Sequence, residues 1–201
     1  ISACLVGSEM CIRDSSYICF NQAIASQVKP YLPSQAQLLT AQEAEAGQSL
    51  LEEVYLVDCP QSLGQFKELL PQISDKQVVL YFFKPSSLYF NGLPQPEEFN
   101  RVYKYLIGHK SLPLAQAQSR LPNYLQMTSV TFNLVIQVFL EVNFVKIESG
   151  RLLFEGSHQK IDLEATSTYQ SMQAAMEAEE ALLFSPKDQV RSYFDAELNK
   201  E

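Results

Sequence analysis

Short apolar runs alternate with helix-like spacing in the first part of the chain. The apolar runs are 17–20, 37–39, 54–57 and 78–83. Between them, residues 22–32 and the segment after Ser62 place apolar side chains at the spacing of one helix face. Continuous apolar strands separated by helices are typical of a parallel sheet that is covered on both faces. The pattern predicts a small Rossmann-like α/β unit over residues 16–94.

The middle of the chain follows a different order. Three stretches with helical spacing are followed by a hairpin signal at Ser149-Gly150. The three stretches are 97–107, 114–121 and 128–142. Three helices and a hairpin are the outline of a winged helix, so we predict a winged-helix-like unit over 95–165. A helical tail over 166–201 completes a predicted α/β fold: a parallel sheet layer, a winged-helix-like unit and C-terminal helices.

The first fifteen residues differ from the rest of the chain. They begin with Ile and show no sustained period, and the string CLVGSEMCIRDS at 4–15 resembles translated sequencing-adapter read-through. We therefore interpret residues 1–15 as a non-native segment, with a native N-terminal strand and loop as the alternative. Outside this segment only Cys19 and Cys59 remain, and both are predicted to be buried free thiols in a reducing cytoplasm.

Composition and charge narrow the class of protein. Apolar residues make up 46% of the chain and charged residues 19%, which is enough to build a sizeable core. No apolar run approaches the roughly 18 residues of a membrane span, so we expect no membrane partner. The net charge of −8 argues against a protein that binds phosphate backbones by charge alone. These features predict a soluble, acidic, cytoplasmic protein.

Motifs that carry chemistry are missing from the sequence. It contains no glycine-rich phosphate loop, no GxSxG and no cysteine pair with zinc spacing, and His109 and His158 are isolated. Asp58 follows a predicted parallel strand, where ligands often bind, but no second catalytic group accompanies it in sequence. A turn-forming or helix-capping role is therefore favoured for Asp58. We assign no catalytic and no metal-binding residue.

The third helix of the winged-helix-like unit lacks the features of a recognition helix. It is apolar nearly all round, its polar stripe is Asn133, Gln137 and Glu141, and it carries no Lys or Arg. Reading DNA bases requires side chains that reach base edges and cations that hold the backbone. This helix is therefore predicted to be a core helix.

Positive charge is concentrated in one place. Arg101 and Lys104 lie three residues apart on a predicted helix, and Lys110 and Arg120 follow in the next segment. These four residues are candidate contacts for DNA or for an acidic partner protein, with an ordinary solvated face as the simpler interpretation. The aromatic runs 81–83 and 89–90 are candidate platforms for unpaired bases, although a strand interior is favoured for 81–83.

Four segments of the chain resemble a known family. They are VYLVDCPQSLGQFKELL (54–70), FNGLPQPEEFNRVYKYL (90–106), VTFNLVIQVFLEVNFVKIESGRL (130–152) and STYQSMQ (167–173). From about residue 17 to residue 194 the chain resembles the C-terminal domain of the RecJ family, the single-stranded-DNA-specific exonucleases, in its Gram-positive bacterial form. None of the four segments is an active-site signature.

The resemblance implies a fragment of a larger nuclease. Such a parent hydrolyses single-stranded DNA from 5′ to 3′ in DNA repair and recombination, with Mn²⁺ or Mg²⁺ held by an upstream catalytic core that carries an Asp-His-His motif. Because this chain has no such motif, its own standing as an enzyme is left open. We expect a non-catalytic accessory domain that positions the nuclease or contacts a partner such as single-stranded-DNA-binding protein. The alternative is a module that binds single-stranded DNA directly and feeds it to the core.

Overall fold

A computed structural model describes residues 14–85, 87–156 and 162–198. Contacts between Cα atoms group the chain into two compact units. The first unit takes its described residues from 1–60, 64–84 and 185–201, and the second from 61–63 and 85–184. The domain limits drawn from the sequence, at 94 and 165, stay a prediction. Within the three described stretches, none of the helices combines the length and apolarity that a bilayer crossing requires.

The described residues form seven strands and nine α-helices. The strands are β1 (Ser15–Cys19), β2 (Gln37–Thr40), β3 (Glu53–Asp58), β4 (Gln77–Phe83), β5 (Ser111–Pro113), β6 (Val145–Glu148) and β7 (Arg151–Phe154). The helices are α1 (Gln22–Val28), α2 (Ala41–Glu45), α3 (Leu63–Ile73), α4 (Leu88–Asn91), α5 (Pro96–His109), α6 (Leu114–Tyr124), α7 (Ser129–Glu141), α8 (Ser167–Glu179) and α9 (Lys187–Leu198). A 3₁₀ turn follows α1 at Lys29–Tyr31, and a π-helical turn follows α8 at Glu180–Phe184.

The first unit is built on a parallel sheet, which confirms the prediction. Its strand order is β2-β1-β3-β4, with all neighbours parallel. Ser16 of β1 pairs with Gln37 of β2 and with Val54 of β3, and Val54 pairs with Val78 of β4. Each strand is followed by a helix or a turn that returns the chain to the same end of the sheet, as parallel pairing requires.

The two faces of this sheet are covered unequally, so the prediction of a sheet covered on both faces is wrong in part. The strand side chains on one face are buried, and they include Ile18, Val54, Leu56 and Phe82. The ring of Phe66 of α3 lies edge-on to the ring of Phe82, with their centroids 5.8 Å apart. On the other face, Tyr81 and Phe83 are 62% and 56% exposed. Stacked rings of Tyr17, Tyr55 and Tyr81 cross this open face. Because β4 is an edge strand, its apolar residues lack the cover that the inner strands have.

Strand β1 begins earlier than predicted. The Ser15 side chain is buried and its Oγ donates a hydrogen bond to Glu53, so Ser15 belongs to the sheet although it falls in the predicted non-native segment. The rest of that interpretation, including Cys4 and Cys11 at residues 1–13, lies outside the described residues, as does His158. Cys19 and Cys59 are buried free thiols, as predicted. Burial raises the pKa of Cys19 to about 12.

Helix α9 returns to the first unit and packs on α3. The rings of Tyr193 and Phe194 lie 6.3 Å and 5.9 Å from the ring of Phe66, and Lys67 Nζ lies 3.3 Å from a carboxylate oxygen of Glu197. The second unit is therefore inserted, in chain order, between two parts of the first.

The second unit has the element order of a winged helix, as predicted. Helices α5, α6 and α7 precede the hairpin β6–β7, and the three-stranded antiparallel sheet has the order β5-β7-β6. Strand β5 was not predicted, because it is three residues long and ends in proline. The core is centred on Phe139, which is completely buried against Phe99, Tyr103 and Phe144.

Two carboxylates of the second unit hold helix N-termini. Glu141, at the end of α7, accepts hydrogen bonds from the backbone N–H groups of Ser167 and Thr168 at 2.8 Å, the first residues of α8. Glu179, completely buried near the end of α8, accepts the N–H groups of Leu88 and Tyr89 at 3.0 Å, in the first turn of α4. A carboxylate at a helix N-terminus satisfies unpaired N–H groups and complements the helix dipole. These bonds link α7, α8 and α4.

Glu141 is expected to contribute to acid sensitivity. Hydrogen bonds from the hydroxyl and N–H groups of Thr168 and Ser167 lower the pKa of Glu141 to about 2 from its ordinary value of 4.5. Because the folded pKa is the lower one, its stabilisation is complete above about pH 4.5 and is lost as the pH falls towards about 2. We expect Glu141→Gln to reduce the stability loss between about pH 5 and about pH 3, measured by urea unfolding followed by circular dichroism.

Glu177→Gln is the matched control, since it removes the same charge from the exposed side of α8, where Gln173 Nε2 donates to Glu177. This variant should keep the acid sensitivity of the unchanged chain. An undiminished acid response in Glu141→Gln would contradict the prediction.

Candidate functional site

Asp58 lies where a parallel-sheet protein often places a catalytic group, at the carboxyl end of β3. Its buried carboxylate accepts the N–H of Phe20 at 2.7 Å and the N–H of Asn21 at 3.0 Å. Burial raises the pKa of Asp58, and these N–H groups act in the opposite direction. Both partners belong to the turn between β1 and α1. Asp58 therefore links the end of β3 to the end of β1. This is a structural role like the predicted one, but the turn that Asp58 stabilises is the turn after β1 and not the turn after its own strand.

The other buried carboxylate is also used by the backbone. Glu179 accepts the Ser87 hydroxyl at 2.6 Å in addition to the two N–H groups of α4. Among residues 14–85, 87–156 and 162–198, no group of three or more His, Cys, Asp or Glu side chains is placed to hold a metal ion. Asp58 and Glu179, the two carboxylates described above, thus serve the fold.

Helix α7 is a core helix whose polar side faces α8. Phe132, Val135 and Phe139 are buried, whereas Asn133, Gln137 and Glu141 are exposed. Glu141 binds the start of α8, and Gln137 lines a shallow pocket together with Ser171 and Met172 of that helix. This arrangement supports the prediction of a core helix, because α8 lies along the side that would otherwise face a DNA groove.

Arg101, one of the four predicted contact residues, has a structural role. Its Nη1 donates to the carbonyl oxygens of Leu125 at 2.7 Å and Gln126 at 3.2 Å, just past the end of α6. Its Nη2 lies 3.6 Å from a carboxylate oxygen of Glu98. A guanidinium at a helix C-terminus satisfies unpaired carbonyl groups and complements the helix dipole. Arg101 thereby fixes α5 against the end of α6.

The other three predicted residues are exposed. Lys104, Lys110 and Arg120 form no ion pair with any residue that the structure describes. From residue 100 to residue 140 the chain contains four basic residues and no Asp or Glu. This stretch is therefore locally cationic within a chain of net charge −8. That these residues contact a ligand stays a prediction.

An aromatic cluster accompanies these cations. Tyr105 and His109, one turn apart on α5, stack with ring centroids 4.1 Å apart, and the ring of Tyr124 on α6 lies 5.5 Å from Tyr105 at an angle of 64°. The Tyr124 side chain is 71% exposed. We define the α5–α6 surface as Lys104, Tyr105, His109, Lys110, Arg120 and Tyr124.

The aromatic members of this surface were not predicted. The second helical stretch was predicted to end at residue 121, but α6 includes Pro122 in its last turn and extends to Tyr124. Ile107, the last residue of the predicted stretch 97–107, is 48% exposed. Tyr105 and His109 are four residues apart, so their positions in the sequence already indicated that they share one face of a helix.

The two aromatic runs take different environments. In 81–83 only Phe82 is buried, so the prediction of a strand interior holds for one residue of three. The run 81–83 has one cation next to it in sequence, Lys84, and the Tyr55 hydroxyl of the tyrosine stack donates a hydrogen bond to Glu53. Tyr89 and Phe90 pack against Phe184. Neither run combines rings with cations as the α5–α6 surface does.

The fold defines an α/β protein with a winged-helix-type unit. Its candidate site is a surface of cationic and aromatic side chains, which lies far along the sequence from the two buried carboxylates described above. The family model described as "Single-strand DNA-specific exonuclease, C terminal domain" matches residues 7–194, and the chain belongs to this family. The resemblance found in the sequence is thereby confirmed. The match begins at residue 7, within the segment interpreted as non-native, and that interpretation of residues 1–15 stays a prediction.

The comparison with curated proteins gives one relative. The chain is 25% identical over 142 residues to the single-stranded-DNA-specific exonuclease RecJ of Bacillus subtilis (strain 168). The match covers 71% of this chain and 18% of that protein, so the chain spans less than one fifth of its relative. No solved structure matches the chain.

Proposed function

We propose that this chain is a non-catalytic accessory domain of a 5′→3′ single-stranded-DNA exonuclease that acts in DNA repair and recombination. Its role is to position the nuclease or to contact a partner of it, such as single-stranded-DNA-binding protein. The observation that carries the proposal is the use of both buried carboxylates, Asp58 and Glu179, as acceptors for backbone N–H groups in a chain of this family.

A carboxylate that serves as a general base needs a lone pair directed at its substrate. Asp58 is 1% exposed, and its Oδ1 accepts from Phe20 and its Oδ2 from Asn21, so neither oxygen is open to a substrate. Glu179 is completely buried, and it accepts hydrogen bonds from three donors. The arrangement supports a structural role for each, and it leaves the chemistry to another part of the longer protein.

The donor set of the described residues does not fit the Mn²⁺ or Mg²⁺ that the family resemblance implies. These ions require several oxygen ligands around one point, and the described His, Cys, Asp and Glu side chains form no such group. We therefore derive no catalytic step for this chain. The ions belong, on this proposal, to the catalytic core of the parent enzyme.

The α5–α6 surface is the best contact surface for such an accessory domain. It combines three exposed cations with a 71% exposed tyrosine, and no carboxylate lies between residues 100 and 140. A cationic patch with an exposed ring attracts polyanions and gives them a contact point.

A deletion in the longer enzyme tests the proposal. We expect an exonuclease that lacks this chain to keep its kcat on short single-stranded oligonucleotides with Mn²⁺, while KM rises or stimulation by a partner is lost. We also expect the 201-residue chain alone to release no nucleotides under the same conditions. A collapse of kcat in a deletion variant whose core remains folded, or hydrolysis by the chain alone, would overturn the non-catalytic assignment.

A further inference from the structure

We infer that the α5–α6 surface binds single-stranded nucleic acid, with an unpaired base stacked on Tyr124 and backbone phosphates beside Lys104, Lys110 and Arg120. This inference goes beyond the proposed function, because it assigns the contact surface a nucleic-acid ligand, the alternative that the sequence left open. It is carried by the exposure of one ring, by its aromatic support and by the distribution of charge around it.

The ring of Tyr124 is both accessible and supported. It is 71% exposed, and the pair of Tyr105 and His109 lies against one side of it, at 5.5 Å from Tyr105. His109 Nδ1 lies 2.9 Å from the carbonyl oxygen of Tyr105, a contact that holds the imidazole in the stack. Arg101 fixes the two helices through the carbonyl groups that follow Tyr124. The ring is therefore presented from two helices that Arg101 holds together.

Exposed cations accompany this ring system on both helices. Arg120 precedes Tyr124 by one turn of α6 and shares its helix face, whereas Lys104 is exposed on α5 and Lys110 caps the end of that helix. A strand with a base stacked on Tyr124 therefore has Arg120 beside it, and Lys104 and Lys110 belong to the same helix pair. Alternation of stacking rings with cations is the usual arrangement of single-strand binding surfaces.

Double-stranded DNA fits this surface poorly. Its bases are stacked inside the duplex and cannot reach Tyr124, whereas unpaired bases can. Groove binding through α7 is also disfavoured, because its exposed residues include Glu141 and no cation. An acidic protein segment would use the three cations but would not require a stacking ring, so Tyr124 separates the two classes of ligand.

The test is fluorescence anisotropy of a labelled oligothymidine of about 15 nucleotides with the full 201-residue chain at low salt. We expect Tyr124→Ala to raise Kd by about tenfold, since stacking of one base is worth about 1–3 kcal/mol. Tyr124→Phe keeps the ring and should restore binding. Tyr31→Ala is the matched control: Tyr31 is an 87% exposed tyrosine of the first unit, and its loss should leave Kd unchanged.

Two further measurements identify the ligand class. Lys104→Ala and Arg120→Ala should each raise Kd and reduce the slope of log K against log salt by about 0.7, the value for one phosphate contact on a single strand. An abasic oligonucleotide of equal length should bind more weakly, and Tyr124→Ala should then have no effect. Every variant is checked for an unchanged circular dichroism spectrum.

The outcomes separate this inference from the proposed function. No binding at low salt by the folded chain would overturn the inference. So would equal binding by Tyr124→Ala together with displacement of the oligonucleotide by polyglutamate, which would assign the surface to an acidic protein segment. Neither result bears on the non-catalytic assignment, which is tested by the deletion in the longer enzyme.

Discussion

Replacing Glu179 with alanine is expected to lower the free energy of unfolding of the second unit by about 4 kcal/mol. The carboxylate is completely buried and accepts three hydrogen bonds, from the Ser87 hydroxyl and from the N–H groups of Leu88 and Tyr89. Each donor that loses its acceptor costs about 1–3 kcal/mol, towards the lower end here because the three bonds are only part-buried, and the missing side chain also leaves a small cavity. Part of this cost is offset because no charge is then buried.

Two variants of α8 make the measurement specific. Glu179→Gln keeps the shape and one acceptor oxygen, so its loss should be about half as large. Glu177→Ala removes an exposed carboxylate of the same helix and should change stability by less than about 0.5 kcal/mol. Urea unfolding followed by tyrosine fluorescence reports the three values, and hydrogen exchange at 88–91 reports the release of α4. Equal stability of Glu179→Ala and Glu177→Ala would show that the buried bonds contribute nothing.

Replacing Asp58 with alanine is expected to destabilise the first unit by about 3 kcal/mol. The substitution removes the acceptors of two N–H groups, those of Phe20 and Asn21, in the turn that follows β1. The effect is smaller than that of Glu179 because two donors are released rather than three. Urea unfolding gives the magnitude, and hydrogen exchange of the β1–α1 turn shows where protection is lost.

Asp75 supplies the control for this substitution. Its side chain is 74% exposed and pairs only with the neighbouring Lys76 among the ion pairs of the described chain, so Asp75→Ala should change stability by less than about 0.5 kcal/mol. Asp58→Asn should fall between the two alanine variants, since its amide oxygen can accept one of the two N–H groups and its NH₂ faces the other. A fully stable Asp58→Ala chain would contradict the structural role of this carboxylate.

The parallel sheet was predictable because hydrophobic runs encode which residues avoid water. They do not encode which strand lies at an edge. The run 78–83 is continuously apolar in sequence, but the sheet order places β4 at the edge and a register shift between Leu56 and Asp58 accompanies a positive φ of 47° at Phe82. Phe82 is thereby buried while its two neighbours are exposed. An irregularity of this kind arises from tertiary pairing and leaves no periodic signal.

Helix starts were predictable because, unlike the position of a strand in the sheet, their signals are local in the sequence. Thr128 and Thr166 accept the N–H groups of Thr131 and Tyr169, as expected of threonine at an N-cap. The partners of Asp58 and Glu179 are different. They lie 38 and 91 residues away along the chain, so the sequence indicated neither the partners of Asp58 nor the role of Glu179.

The candidate site was predicted in part. Its cations were visible as a local excess of positive charge, and three of the four are exposed. The aromatic rings of the site were not visible in the sequence, because Tyr105 and Tyr124 belong to different helices and meet only when those helices pack. The same packing uses Arg101, which explains why the fourth cation of the predicted group is directed at α6.

The packing of α9 on α3 has a consequence for synthesis on the ribosome. Phe66 emerges early, whereas Tyr193 and Phe194, which pack on it, follow only after the residues 85–184 of the second unit. At about 5–20 residues per second, the stretch from Phe66 to Tyr193 takes on the order of 6–25 s to synthesise, and the α3 surface stays uncovered for that time. Residues 85–184, nearly all of the second unit, are synthesised within that interval. We therefore expect the second unit to assemble before α9 completes the first.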